Sequence, residues 1–421
     1  MFKDPDIGKP AEQLRRERYQ RTKTAWTVGV PDRVPVNCPM GYFPARYVGI
    51  PFAAAYNDFD AWYAACEKTL HDFCPDSFGA NMYQSGKALA MLGLKTARWP
   101  GFGANPWHGH QSIEIEGLKP EEFSLYMADP RDYMVRKQIP RMSDKMKGFG
   151  NIPPLYQLFN GPGSLQQLAM VLSDPDMEAA VDILRESGRE MRSVQDKQQR
   201  LQKLMESYGY YSTPMVGALP PFDIVSHSLC GMHNTMMAMF RAPDKLLELC
   251  EFILKEQLEK TPLVPDENGD IRIFMTNTRG IDEFLSKEQF EKFYWPTCKK
   301  LITTLCERGA TPNFFIEGHF DSRIEYLLEL PKGKFTAGFE ASDIIRAKEI
   351  LGDHCCISGN VPASLLQVGT KDDVIACCKN LIDKVGKNGG FILAPSTSVE
   401  ETSPLNLKAM IEFSKEYGVY K

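Results

Sequence analysis

The run NFFIEGHFDSR, residues 313–323, sets Glu317, His319 and Asp321 on alternate positions behind an apolar triplet, with Arg323 two residues further on. Alternate residues of an extended chain share a face, so a carboxylate and an imidazole there would converge on one point. Such a pair suits proton transfer, or an open zinc site, which takes about three protein ligands of these types. The competing reading pairs Glu317 with Arg323 or another cation and leaves His319 as a hydrogen-bonded loop residue, because E-x-H is a common and weakly specific pattern. In SHSLCGMH, residues 226–233, His227, Cys230 and His233 recur every three positions. On a helix they would form one stripe from which His227 supplies a further ligand; a buried thiol between hydrogen-bonded histidines is the plainer alternative. His108 and His110, in the Gly-rich WHGH run, fit either a loop that shuts over a substrate or a solvated one.

The elements around these residues decide what they can do. In the last third of the chain, short apolar runs alternate with helical patterns: IRIFMTN (271–277), PNFFIEG (312–318), KFTAGFE (334–340), HCCISGN (354–360) and GGFILAP (389–395) read as strands. Helix starts fall between them at Ser286 with Gln289, at Asp343, at Thr370 with Asp373, and at Ser403-Pro404. Upstream, RVPVNC (33–38), SFGANMY (77–83), PPLYQLFNG (153–161) and STPMVGAL (212–219) read as further strands, which makes about nine where a closed barrel needs eight. A repeated β-α alternation implies parallel strands with right-handed crossovers. The fold expected is α/β, a TIM (β/α)8 barrel forming one domain over 1–421, with an N-terminal helical extension at 1–30 and an insertion or lid over the mouth at 97–150. The open doubly wound sheet is disfavoured because VNCPMGYFPAR lacks the G-x-G-x-x-G turn.

Barrel chemistry gathers where strands end. Those positions hold Asn37, Cys38, Asn81, Tyr83, Asn160, Asp223, His227, Asn277, Arg279, Glu317, His319, Asp321, Glu340, Asp343, Asn360 and Ser396. A net charge of −5 without a basic stripe argues against nucleic acid, and no apolar run is long enough to span a membrane. The polar N-terminus MFKDPDIGKP does not read as a secretory signal, so a cytoplasmic location is expected. Eleven cysteines, an odd count with no Cys-x-x-Cys pair, read as reduced and mostly buried thiols. Twenty-four Phe and nineteen Met, MMAMF (236–240) among them, either line an apolar pocket or fill the core.

The order RIEYLLELPKGK, FEASDIIRAKEILGDHCCISGNVPASLL, GTKDDVIACCKNLIDKVGKNGGFILAP, SPLNLKAMIEF resembles the uroporphyrinogen decarboxylase superfamily of TIM barrels over about residues 215–417. That superfamily's decarboxylase holds its tetrapyrrole with an N-terminal R-Q-A-G-R segment. Here Arg15, Arg16 and Arg18 in LRRERYQR lack that motif, which demotes porphyrinogen decarboxylation. The other branch is similar to cobalamin-dependent methyltransferases, whose thiol-handling members bind zinc through H-x-C and a later Cys. Glu317 and His319 fall on the H-x-C slots and Ser396 near the last one, so both thiolates are replaced. The resemblance therefore implies a methyltransferase moving methyl from a small methoxylated, aromatic donor to the corrinoid (cobalamin) of a partner protein, as in O-demethylation. In that reading Glu317 and His319 polarise or protonate the ether oxygen, with zinc as an option on Glu317, His319 and His227. Asp321 and Glu340 orient that pair, and His227, Arg279, Asn277, Asn360 and Tyr83 bind substrate. A cofactor-independent decarboxylase of a small carboxylate or tetrapyrrole is the alternative, and pairing with a second copy stays open.

Overall fold

The computed structural model describes residues 4–158, 161–211 and 216–421. Eight strands build the core: β1 Asn37–Gly41, β2 Ser77–Ala80, β3 Val216–Gly217, β4 Ile271–Asn277, β5 Ala310–Ile316, β6 Thr336–Phe339, β7 Cys356–Val361 and β8 Phe391–Pro395. They run parallel in the order β2-β1-β8-β7-β6-β5-β4-β3, the two-stranded and six-stranded ladders being joined by a bridge between Val36 and Leu393. The architecture is the (β/α)8 barrel.

The ninth expected strand, 153–161, is a helical turn at Leu155–Leu158. Pro153 and Pro154 explain it: fixed φ and missing N–H groups suit the start of a helix and not a ladder. Residues 159–160 of that run, Asn160 included, and 212–215 of STPMVGAL lie outside the described residues. The helix starts read from sequence hold, with capping boxes at Ser286/Gln289 and Thr370/Asp373 and the Asp343 carboxylate accepting from the N–H groups of Ile345 and Arg346.

Period-two alternation divides each strand between lumen and helical layer. On β5, Pro312, Phe314 and Ile316 are buried against the helices, while Asn313, Phe315 and then Glu317 take the other parity. On β4 the buried set is Ile273, Met275 and Asn277, leaving Arg272, Phe274 and Thr276 to the lumen. The lumen is thus layered: polar at the bottom, aromatic at Phe274 and Phe315, acidic at the top.

Helix Ala11–Trp26 closes the lower end, burying Arg18, Arg21 and Trp26. Arg21 and Arg33 each donate to the buried Asp76 at 2.6 Å and, against the opposing effect of burial, hold its carboxyl below the ordinary range. Over the upper end, residues 97–112 form a small sheet from Ala97–Pro100, Gly103–Ala104 and Gln111–Ser112, followed by helical segments to Asn151. All eleven cysteines are free thiols. Among the described residues no helix is long and apolar enough to cross a membrane.

Candidate active site at the barrel mouth

The ladder continues one residue beyond β5: the Glu317 N–H donates to the Asn277 carbonyl at 3.1 Å, and the Glu340 N–H donates to the Ile316 carbonyl at 3.1 Å. Both carboxylates therefore keep lumen parity at the top of the barrel. Burial raises the Glu317 pKa, the neighbouring Glu340 charge adds to this, and Arg279 offsets part of it. Glu340 in turn accepts the Gly318 N–H at 2.7 Å, which fixes the loop that carries Glu317.

His319 does not join them. Gly318 sits at φ 72°, a left-handed turn, so the extended geometry that would align residues 317 and 319 ends between them. The imidazole lies exposed and bonds Glu283, which raises its pKa. Asp321 accepts the Asp343 N–H at 2.9 Å and ties the β5 loop to the β6 loop. Zinc on Glu317, His319 and His227 is not supported: among the described residues no three His, Cys, Asp or Glu side chains are grouped as metal ligands. In SHSLCGMH the expected stripe also breaks, because 224–229 is a π-type turn; Cys230 enters the core and His233 faces solvent.

His227 belongs to a chain of hydrogen bonds instead. Asp223, fully buried, accepts from Tyr294 Oη at 2.7 Å, Thr278 Oγ1 at 3.0 Å and the Arg279 N–H at 3.0 Å. Burial pushes its pKa up to about 7, with the bonds from Tyr294 and Thr278 opposing. Thr278 Oγ1 also lies 2.6 Å from His227 Nε2, and on the other side of the ring Nδ1 lies 3.2 Å from Glu114 Oε1 and 3.5 Å from Arg279 Nη2. Burial lowers the His227 pKa.

Arg279 packs its guanidinium over Phe284 at 4.5 Å and pairs with Glu114 of the insertion. Four residues earlier in that insertion, His110 reaches Tyr42 Oη at 3.2 Å and stacks on Trp99. Tyr42 follows β1 and Glu114 meets the loop after β4, three strands away around the barrel. Residues 110–114, roughly 14 Å at full extension, thus strap the mouth. On the β1/β8 side Tyr42, Tyr56 and Phe52 form an aromatic wall, with Tyr42 stacked on Phe52 at 5.1 Å and Glu400 beside it raised in pKa by burial.

Two expected substrate contacts sit elsewhere, and a third, Asn360, stays at the mouth. Asn277 shares the parity of Ile273 and Met275, so it is buried in the helical layer, where its Oδ1 accepts the Gly280 N–H at 2.8 Å. Tyr83 packs on Phe59 at 5.2 Å beneath Lys197, away from the acids. Asn360 keeps the lumen parity of Glu340 and Glu317 and donates to the Ser342 carbonyl at 2.9 Å, pinning the β6 loop at the mouth. Conversely Glu114, Thr278, Tyr294, Tyr42, Tyr56 and Glu400 were not singled out from sequence. Thr278 alone carried a signal, being placed between two strand-end candidates.

The profile of the family described as "Uroporphyrinogen decarboxylase (URO-D)" matches residues 171–417. The chain belongs to that family. No curated protein matches it significantly. Among solved structures, a methyltransferase from Methanosarcina mazei superposes with a TM-score of 0.54 at 14% identity, covering 95% of this chain and 98% of that one, a likeness of fold. In this URO-D family protein Arg18, one of the early arginines, serves the fold: it donates to the Tyr208 carbonyl at 2.7 Å and stacks on Tyr210, at the end of the barrel remote from the mouth.

Proposed function

We propose that this URO-D family protein is a methyltransferase that takes a methyl group from a small methoxylated aromatic donor and delivers it to a corrinoid carried by a partner protein. The observation that supports this most is Glu317, a lumen carboxyl that burial and Glu340 make hold its proton to higher pH than a free glutamate. Aryl methyl ethers are unreactive because a phenolate must leave. Protonating the oxygen as the C–O bond breaks removes that obstacle.

In the step, the methyl carbon forms its new bond to the acceptor and the C–O electron pair passes to oxygen. Glu317 gives that oxygen its proton, leaving a phenol and a carboxylate near the Arg279 charge. The corrinoid supplies the nucleophile. This chain binds and orients the ether, excludes water beneath the 110–114 strap, and holds the proton. An aromatic donor is supported by Phe274, which is 47% exposed although its parity turns it into the lumen.

The test is methyl transfer from a panel of methoxybenzenes and methoxybenzoates to cob(I)alamin, read as loss of cob(I) absorbance and formation of phenol in equal amounts. Release of CO₂ from aromatic acids without methyl transfer would move the protein to the decarboxylase class. Silence in both assays would remove it from both.

A further inference from the structure

We propose that the lower end of the barrel, opposite the mouth, is a second ligand site that binds a small oxyanion through Arg272. A cavity of about 160 Å³ lies there under helix Ala11–Trp26, lined by Asn37, Ser77, Asn313, Thr336 and Ser358 together with Arg272 and Trp26. These polar groups come from the lower part of strands spaced around the barrel, so they surround the space. Water needs only about 10–15 Å³ of such volume, and an acetate or phosphate ion is accommodated with room for solvent.

The charge balance gives the sign of the ligand. Arg272 Nη1 is shielded and has no hydrogen-bond partner among the described residues, and Nη2 meets only Thr336 Oγ1 at 3.5 Å. The guanidinium lies over Trp26 at 4.4 Å, which fixes its plane and supplies no counter-charge. The carboxylate lining the cavity, Asp76, is already engaged by Arg21, Arg33 and the Val36 N–H. Asp270, whose charge also acts on Arg272, is bound by Lys23 and Tyr19. A guanidinium cannot shed its proton to escape burial. An uncompensated buried cation is costly, and an oxyanion would receive two fork N–H groups while the surrounding hydroxyls and amides fill its remaining lone pairs.

Calorimetric titration of the full chain with sodium acetate and, separately, sodium phosphate, at ionic strength held constant with chloride, tests this. Saturable binding of one equivalent is expected, and the tighter of the two anions identifies the ligand as carboxylate or phosphate. Affinity should fall at least about tenfold in Arg272→Met and stay unchanged in Glu317→Gln, which alters only the mouth. Should Arg272→Met fail to fold, crystals soaked in selenate decide the matter, with an anomalous peak expected between Arg272 and Thr336. No saturable heat from either anion in the wild type, undiminished binding in Arg272→Met, or no such peak would each overturn the proposal. Failure here would leave the mouth reading intact, because the two sites share no residue.

Discussion

Glu317 and His319 stand one residue apart and occupy different worlds. Glu317 extends a strand, keeps its parity, and enters a lumen where burial and a second carboxylate shift its acidity. His319 lies past a left-handed glycine on the outer rim, where an exposed ion pair with Glu283 engages it. The contrast teaches that at a barrel mouth the chemistry of a side chain follows the last ladder hydrogen bond and not its neighbour in sequence. Inside that limit burial makes titration expensive; outside it water screens almost everything.

The sharpest way to break the comparison is Glu317→Gln, which keeps the shape and removes the proton. Methyl transfer should drop about 10²- to 10⁴-fold with the protein folded. In the wild type, activity should also fall as pH rises through the raised Glu317 pKa, and this alkaline limb should vanish in the variant. A variant of near wild-type activity would move the proton donor elsewhere, Asp223 and Glu400 being the other acids with a raised pKa at this end.

Asp223 extends the test to stability. Its folded pKa of about 7 stands above the ordinary aspartate value of 3.8, so between those values the folded state holds a proton that the unfolded state has lost. Its contribution is therefore fully present below about pH 4 and declines as pH rises towards 7, with a slope of up to about 1.4 kcal/mol per pH unit. Denaturant titrations across pH 4–7 should show this slope in the wild type and a flatter profile in Asp223→Asn. Identical profiles would mean the carboxylate stays ionised under its hydrogen bonds from Tyr294, Thr278 and Arg279.

Much of the barrel was legible because local and global signals agreed. Capping residues sat where apolar periodicity changed, so Ser286, Asp343 and Thr370 marked their helices correctly. PPLYQLFNG misled because its apolar spacing fits both periods, and only its two prolines decide for a helix. In the site, parity within a strand was readable and placed Glu317 in the lumen. It would also have turned Asn277 away, since Ile273, Met275 and Asn277 share one face. Beyond strand ends the reading failed for a physical reason: alternation assumes extended backbone, and Gly318 is where that assumption stops. Contacts made across the fold, such as Glu114 on Arg279 or Tyr294 on Asp223, join residues more than 70 apart and leave no periodic trace.

That turn can itself be tested. In Gly318→Ala the new Cβ would lie 2.8 Å from Ile281 Cδ1, and the φ of 72° is one that L side chains disfavour. Left-handed strain of this kind costs about 1–2 kcal/mol, so a reduced denaturation midpoint is expected. The cheaper relaxation pulls residue 318 towards extended backbone and swings residue 319 inward, so activity should suffer as well. A variant as stable as the wild type would mean that the loop has freedom to turn either way.

The smallest effect belongs to His319→Ala. If the rim is only a rim, methyl transfer should change by less than about twofold, and stability by no more than the 0–1 kcal/mol usual for exposed ion pairs. What little stability it gives should appear below the ordinary histidine pKa and disappear as pH rises through the raised folded value, because Glu283 favours the charged ring. A loss comparable to that of Glu317→Gln would mean that the imidazole turns inward when donor and partner are bound. The left-handed glycine would then be a hinge joining the two environments, and the separation described above would hold for the unliganded protein alone.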